Sequence, residues 1–104
     1  MGRHPRRKQK RLAEKLLTIR LALGLSQNEM LRQLGAEEDL LRGSISNYEL
    51  GDREPPLFIL LGYARAANIY VDALIDDELD LPDKLPSQTK SEGIKRGQKR
   101  SPRR

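Results

Sequence analysis

Apolar residues in this chain recur at helical spacing in short runs, and the runs stop at Gly24, Gly35, Gly51 and Asn68. Leu12, Leu16, Ile19 and Leu23 fall at spacings of four, three and four, which predicts a helix over about residues 9–23 with Glu14, Lys15 and Arg20 largely off the apolar line. Ser26-Gln27-Asn28-Glu29 is a capping-box pattern: the Ser hydroxyl and the Glu carboxylate can each satisfy an orphan backbone N–H. A second helix should therefore start there and stop at Gly35. A third should end at SISNYELG, residues 44–51, with Leu41, Ile45 and Tyr48 inward, closed by Gly51 and barred from continuing by Pro55-Pro56. A fourth should start near Pro56 and end at a left-handed Asn68, and Val71 to Leu79 should form a last short helix. Five short helices, the second Gly-terminated, predict an all-α helix-turn-helix domain.

Composition enters where the core is concerned. With 104 residues, 37% hydrophobic, 4% aromatic and 34% charged, the chain can build one small aliphatic core. The net charge of +5 hides its distribution. Residues 1–11 carry six basic and no acidic groups, residues 12–80 carry six basic against thirteen acidic, and residues 81–104 carry eight against two, for nets of +6, −7 and +6. The expected organisation is a flexible basic arm at 1–8, a helical domain at 9–80 and a basic disordered tail at 81–104.

The same composition removes whole classes of function. There is no Cys, so disulfides and thiolate metal sites are excluded, and the single His, His4, lies in the arm without a second ligand beside it. No metal, no cofactor and no enzymatic activity are expected. No apolar run approaches the roughly 18 residues that span a membrane, and Glu14, Lys15 and Arg20 interrupt any signal-like segment after the basic start. The expectation is a cytoplasmic, nucleoid-associated protein.

Three stretches, RLALGLSQNEMLRQLG, ISNYELGDREPP and LLGYARAANIYVDALI, together resemble the lambda-repressor-like, Xre or Cro type, DNA-binding family across residues 12–75. The resemblance rests on Gly24-Leu25-Ser26-Gln27 opening the second helix, Ile45 three residues before Tyr48, and Glu49-x-Gly51 closing the third helix with Pro soon after. It implies a compact five-helix domain with the third helix in the major groove of DNA. It also implies that Gln27 contacts a phosphate at the start of the second helix, and that Arg20 and Glu49 form an ion pair locking the third helix onto the first. The stretch AEEDLLRGS, residues 36–44, is about four residues longer than the family's usual turn, and it brings Glu37, Glu38 and Asp39 close to where phosphates would lie.

The residues of the third helix support a DNA contact on physical grounds alone. At 100° per residue Leu41, Ile45 and Tyr48 share the inward face, while Gly43, Ser46 and Asn47 point away from it and Arg42 and Ser44 flank them. Asn can bond bidentately to adenine, Arg to guanine and Ser to either, whereas a Gly within the helix would cost about 1 kcal/mol and suits only close backbone approach. Arg53, just beyond the helix, suits a phosphate contact. For each of these the alternative is a solvated surface residue.

Because a net −7 domain is repelled by a polyanion, the basic arms are expected to supply phosphate affinity, and SPRR at residues 101–104 is similar to chromatin-tail motifs of A·T-rich minor grooves. The sequence thus points to a sequence-specific regulator that binds double-stranded DNA. Two alternatives stay open, an adaptor that binds a protein partner and a nonspecific nucleic-acid-coating protein acting through its tails. Homodimerisation also stays open.

Overall fold

Leu12, Leu16 and Ile19 lie on one side of the first helix with little or no exposure, and the rest of the domain assembles around that stripe. The computed structural model describes residues 9–40 and 43–91. The expected arm at 1–8, residues 92–104 of the expected tail, Leu41 and Arg42 lie outside the described residues. Among the described residues there are five helices and no strand: α1 Leu12–Ala22, α2 Gln27–Gln33, α3 Ser44–Leu50, α4 Leu57–Ala67 and α5 Val71–Ile75. α1 packs against α3, α4 and α5, α2 packs on α3, and α4 packs on α5. The core joins Leu16 and Ile19 to Met30 of α2, Ile45 and Tyr48 of α3, Ile59 and Tyr63 of α4, and Ala73 and Leu74 of α5.

Each boundary has a local cause. Ser26 Oγ accepts from the Glu29 backbone N–H at 3.0 Å, and Glu29 Oε1 accepts from the Ser26 N–H at 2.7 Å, so the capping box that starts α2 is fully formed. The same bonds hold the Glu29 carboxyl below its usual value. Gly51 ends α3 at φ +82°, a conformation that costs an L side chain about 1–2 kcal/mol. Asn68 ends α4 at φ 56° and ψ 52°. Gly62 has a different role: a Cβ there would come within 2.7 Å of Leu34 Cδ2, so its absence lets the residue after α2 close onto α4.

The structure departs from expectation in four places. Lys15, expected off the apolar line, is only 1% exposed. Its Nζ donates to the carbonyl oxygens of Ala73 at 2.7 Å, Asp76 at 3.0 Å and Leu79 at 2.8 Å. That same ammonium explains the second departure, because α5 stops at Ile75 rather than Leu79. Carbonyls at its C-terminal end turn toward Lys15, and the Asp76 carboxylate accepts from the Glu78 N–H to form a turn. Third, α1 begins at Leu12 rather than 9, since the Lys10 and Arg11 N–H groups donate to the two carboxylate oxygens of Asp77. Fourth, packing continues past residue 80: Leu81 and Leu85 lie against the core, Ser87 is buried, and its N–H donates to the Ala67 carbonyl while Asn68 Nδ2 donates back to the Ser87 carbonyl.

Candidate nucleic-acid interface

α3 is seven residues long, too short to hold its own place by backbone bonds alone, so side chains must fix it. Ile45 is fully buried and Tyr48 is 5% exposed, and these two anchor its inner face. Beside them Glu49 receives Arg20 from the last turn of α1 in a two-pronged ion pair, Nε to Oε2 at 2.6 Å and Nη2 to Oε1 at 3.0 Å. Arg20 Nη1 also donates to the Leu25 carbonyl at 2.9 Å, and Gln27 Nε2 donates to Glu49 Oε1 at 3.1 Å. One carboxylate therefore ties α3 to α1 and to the first residue of α2. The ion-pair side chains are 12% and 6% exposed, and the bond to Glu49 raises the Arg20 pKa above its ordinary value. Shielded from water and bidentate, this pair acts far more strongly than a surface pair of the same length.

The outer face of α3 is differently equipped. Ser46 and Asn47 are half-buried, and their side chains make no hydrogen bond to other described residues. The Asn47 carbonyl is occupied, accepting from the Asp52 N–H at 3.0 Å and from Arg53 at 3.4 Å, which folds the loop after α3 back onto the helix. Ser44 is half-buried at the first helical position and hydrogen-bonds Tyr48; burial pushes the Tyr48 hydroxyl pKa up, and Ser44 draws it partway back. Leu50 is 70% exposed on the last turn.

Gly43 is the residue before α3, not part of its interior, so the expected helix penalty does not arise, and nothing lies within 4 Å of where a Cβ would stand. Arg53 is exposed in the loop after α3. Gln27 is half-buried and gives one donor to Glu49, so it belongs to the clamp. Arg42 lies outside the described residues. Around the preceding turn Glu37, Glu38 and Asp39 are exposed, and Arg32 pairs with Glu37 at 3.4 Å between two well-exposed side chains, a contact worth little.

Sequence reasoning missed a second electrostatic cluster at the opposite end of α1. Burial and the neighbouring Arg11 push the Lys15 pKa down, while Asp77, Asp76 and Asp80 pull it back up. Arg11 Nη1 donates to the Asp77 and Leu79 carbonyls, and Nη2 pairs with Asp80 at 2.9 Å. The signal was present: Leu12, Lys15, Leu16 and Ile19 complete an i, i+3, i+4, i+7 stripe, with Lys15 at its second position. Near the clamp, the Tyr63 hydroxyl is buried without a hydrogen-bond partner among the described residues, and burial pushes its pKa up. Among the described residues no three His, Cys, Asp or Glu side chains group as a metal ion would require, and no helix is long and apolar enough to cross a membrane.

No protein-family model, no curated protein and no solved structure matches this chain.

Proposed function

We propose that this chain is a sequence-specific DNA-binding regulator of helix-turn-helix type, with α2 and α3 as the motif and α3 entering the major groove. The observation that carries this reading is the buried clamp on Glu49, which fixes a seven-residue helix through three hydrogen bonds from Arg20 and Gln27, while Ser46 and Asn47 on its outer side make no side-chain hydrogen bond to other described residues. A helix that reads base edges needs that combination of a rigid seat and free short polar groups. Ser44 begins the helix, Arg42 precedes it by two positions in the sequence, and Gly43 lets the backbone approach closely. Arg53 and the free groups of Gln27 contact phosphate.

Electrostatics assigns general affinity to other segments. The net of −7 over residues 12–80 opposes approach to DNA, whereas the six basic residues of 1–11 and the eight of 81–104 favour it. Arg11 is already bound to Asp77 and Asp80, so the usable charge of the N-terminal segment lies before it.

Selection of binding sites from a random duplex pool by the full chain tests this reading, and the expected result is a defined motif. Asn47→Ala and Arg42→Ala should relax preference at one or two base positions by about 1–3 kcal/mol each. Deleting residues 1–8 or 92–104 should flatten the salt dependence by about 0.9 in log–log slope for every phosphate no longer neutralised, with the motif unchanged. A pool that yields no motif, or point variants that lose affinity equally on every sequence, overturns the assignment of α3.

A further inference from the structure

The C-terminal segment leaves the packed domain at a defined place. Ser87 is tied to the end of α4, its N–H donating to the Ala67 carbonyl and its carbonyl accepting from Asn68 Nδ2. Three residues on, the Lys90 ammonium stands 6.0 Å from the centre of the Tyr70 ring, a cation–π contact on the residue that precedes α5. The chain that follows Ser91 therefore sets out from beside the start of α5.

An apolar groove begins next to that point. Val71 and Ile75 of α5 line it together with Leu57, Leu60 and Leu61 of α4, around a volume of about 440 Å³. Leu57 is 83% exposed and Leu61 and Ile75 are each 40% exposed, so filling the groove would remove apolar surface from water. Its rim is mainly acidic. Glu54 lines it, and Asp72, beside Val71, is exposed and makes no ion pair among the described residues. One cation, Arg65, follows Leu61 by a turn of α4.

The chain beyond Ser91 carries the complementary groups in the matching order. It reads Glu92-Gly93-Ile94-Lys95-Arg96, and Ile94, the one large apolar side chain of residues 92–104, is followed at once by two cations. Reach is sufficient: four residues take the chain from Lys90 to Ile94, up to about 14 Å when extended. Val71 is the next residue after Tyr70, and Ile75 lies only about 7 Å further along the axis of α5. Residues 1–8 also start at this groove, from Gln9, but their large apolar side chain is Met1, eight positions away. Tethering then makes a weak contact count. A short flexible linker holds its end at a millimolar effective concentration, so a groove that binds the free segment with a Kd of about 1 mM is filled roughly half of the time or more in the intact chain.

We propose that residues 92–96 fold back onto the groove between α4 and α5, with Ile94 against Leu61, Val71 and Ile75 and with Lys95 and Arg96 toward Asp72 and Glu54. The C-terminal charges are then held by the chain's own domain until a competing polyanion draws them off. The inference does not depend on DNA binding, and its test contains no DNA. The chain has no Cys, so Gln98→Cys accepts a single nitroxide, four positions beyond Ile94. In the full labelled chain the methyl signals of Leu61, Val71 and Ile75 should be broadened, and those of Met30 and Leu31 in α2 should not. The broadening should be unchanged by tenfold dilution. It should fall at least about threefold with Ile94→Asp, and by a similar factor when salt is raised from about 0.1 M to about 1 M, where the screening length shrinks from about 10 Å to about 3 Å. Sharp groove methyls overturn the proposal, and so does broadening that fades on dilution, which would come from a second copy. Broadening indifferent to Ile94→Asp removes Ile94 from the groove, and broadening indifferent to salt removes Lys95 and Arg96 from its rim; either overturns the arrangement.

Discussion

Replacing Lys15 by Met keeps most of the buried stem but removes the ammonium that holds the end of α5. Two opposing effects must be weighed. Losing Nζ withdraws a donor from three carbonyls. Asp76 O still accepts from the Leu79 N–H and Leu79 O from Arg11, leaving Ala73 O without any donor shown in the structure. An orphaned buried carbonyl costs about 1–3 kcal/mol, and the weakened neighbours add to that. Against it stands relief from holding a charge out of water, an effect large enough to depress the Lys15 pKa but opposed by Asp76, Asp77 and Asp80. The orphaned carbonyl prevails, and Lys15→Met should lose about 2 kcal/mol, or about 10 °C in Tm for a domain of this size. Lys15→Ala, which also empties the space of three methylenes, should lose about 4 kcal/mol. Urea denaturation followed by circular dichroism measures both, and amide exchange in Lys15→Met should accelerate first at residues 76–80. A Lys15→Met variant within about 0.5 kcal/mol of wild type refutes the reasoning, because the ammonium would then contribute nothing beyond its stem.

Arg20→Ala and Glu49→Ala should each cost roughly 3 kcal/mol in urea denaturation because the survivor is left shielded and unpaired, and losses under about 1 kcal/mol in both would show the clamp to be ornamental. Ser26→Ala should cost about 1 kcal/mol and fray the start of α2, seen as faster amide exchange at Glu29. Asp77 titrates in a way that fixes a sign: the Lys10 and Arg11 N–H groups hold its carboxyl below the ordinary 3.8, so its contribution is present above that pH and disappears as pH falls through the lower folded value. The Tm difference between wild type and Asp77→Asn should accordingly be full near about pH 6 and close by about pH 2, whereas a gap independent of pH would assign it to packing.

What the sequence revealed and what it concealed divide along the range of the interactions involved. Capping and termination are local, so Ser26 with Glu29, Gly51 and Asn68 announced the ends of α2, α3 and α4 correctly. The Arg20–Glu49 pair spans 29 positions and was reached through a resemblance, not through periodicity. Lys15 was misplaced because a charge within an apolar stripe reads as the stripe's edge, and only the fold brings the Ala73, Asp76 and Leu79 carbonyls to it. The Lys15 ammonium that draws in those three carbonyls also shortened α5, an effect carried by one residue about 60 positions away. Residues 81–91 read as tail because their composition is polar, yet a few anchors, Leu81, Leu85 and Ser87, suffice to hold them.

Within α3 the positions that seat the helix and those that face outward are interleaved but chemically separate. Ile45, Tyr48 and Glu49 determine where the backbone lies, and none of the three is needed on the outer side. Residues 46, 47 and 50 form an exchangeable cassette on a fixed mount. A library randomised at those three positions would sample new outer surfaces on one unchanging backbone, so this domain could diversify what it contacts by substitutions that leave its stability almost untouched.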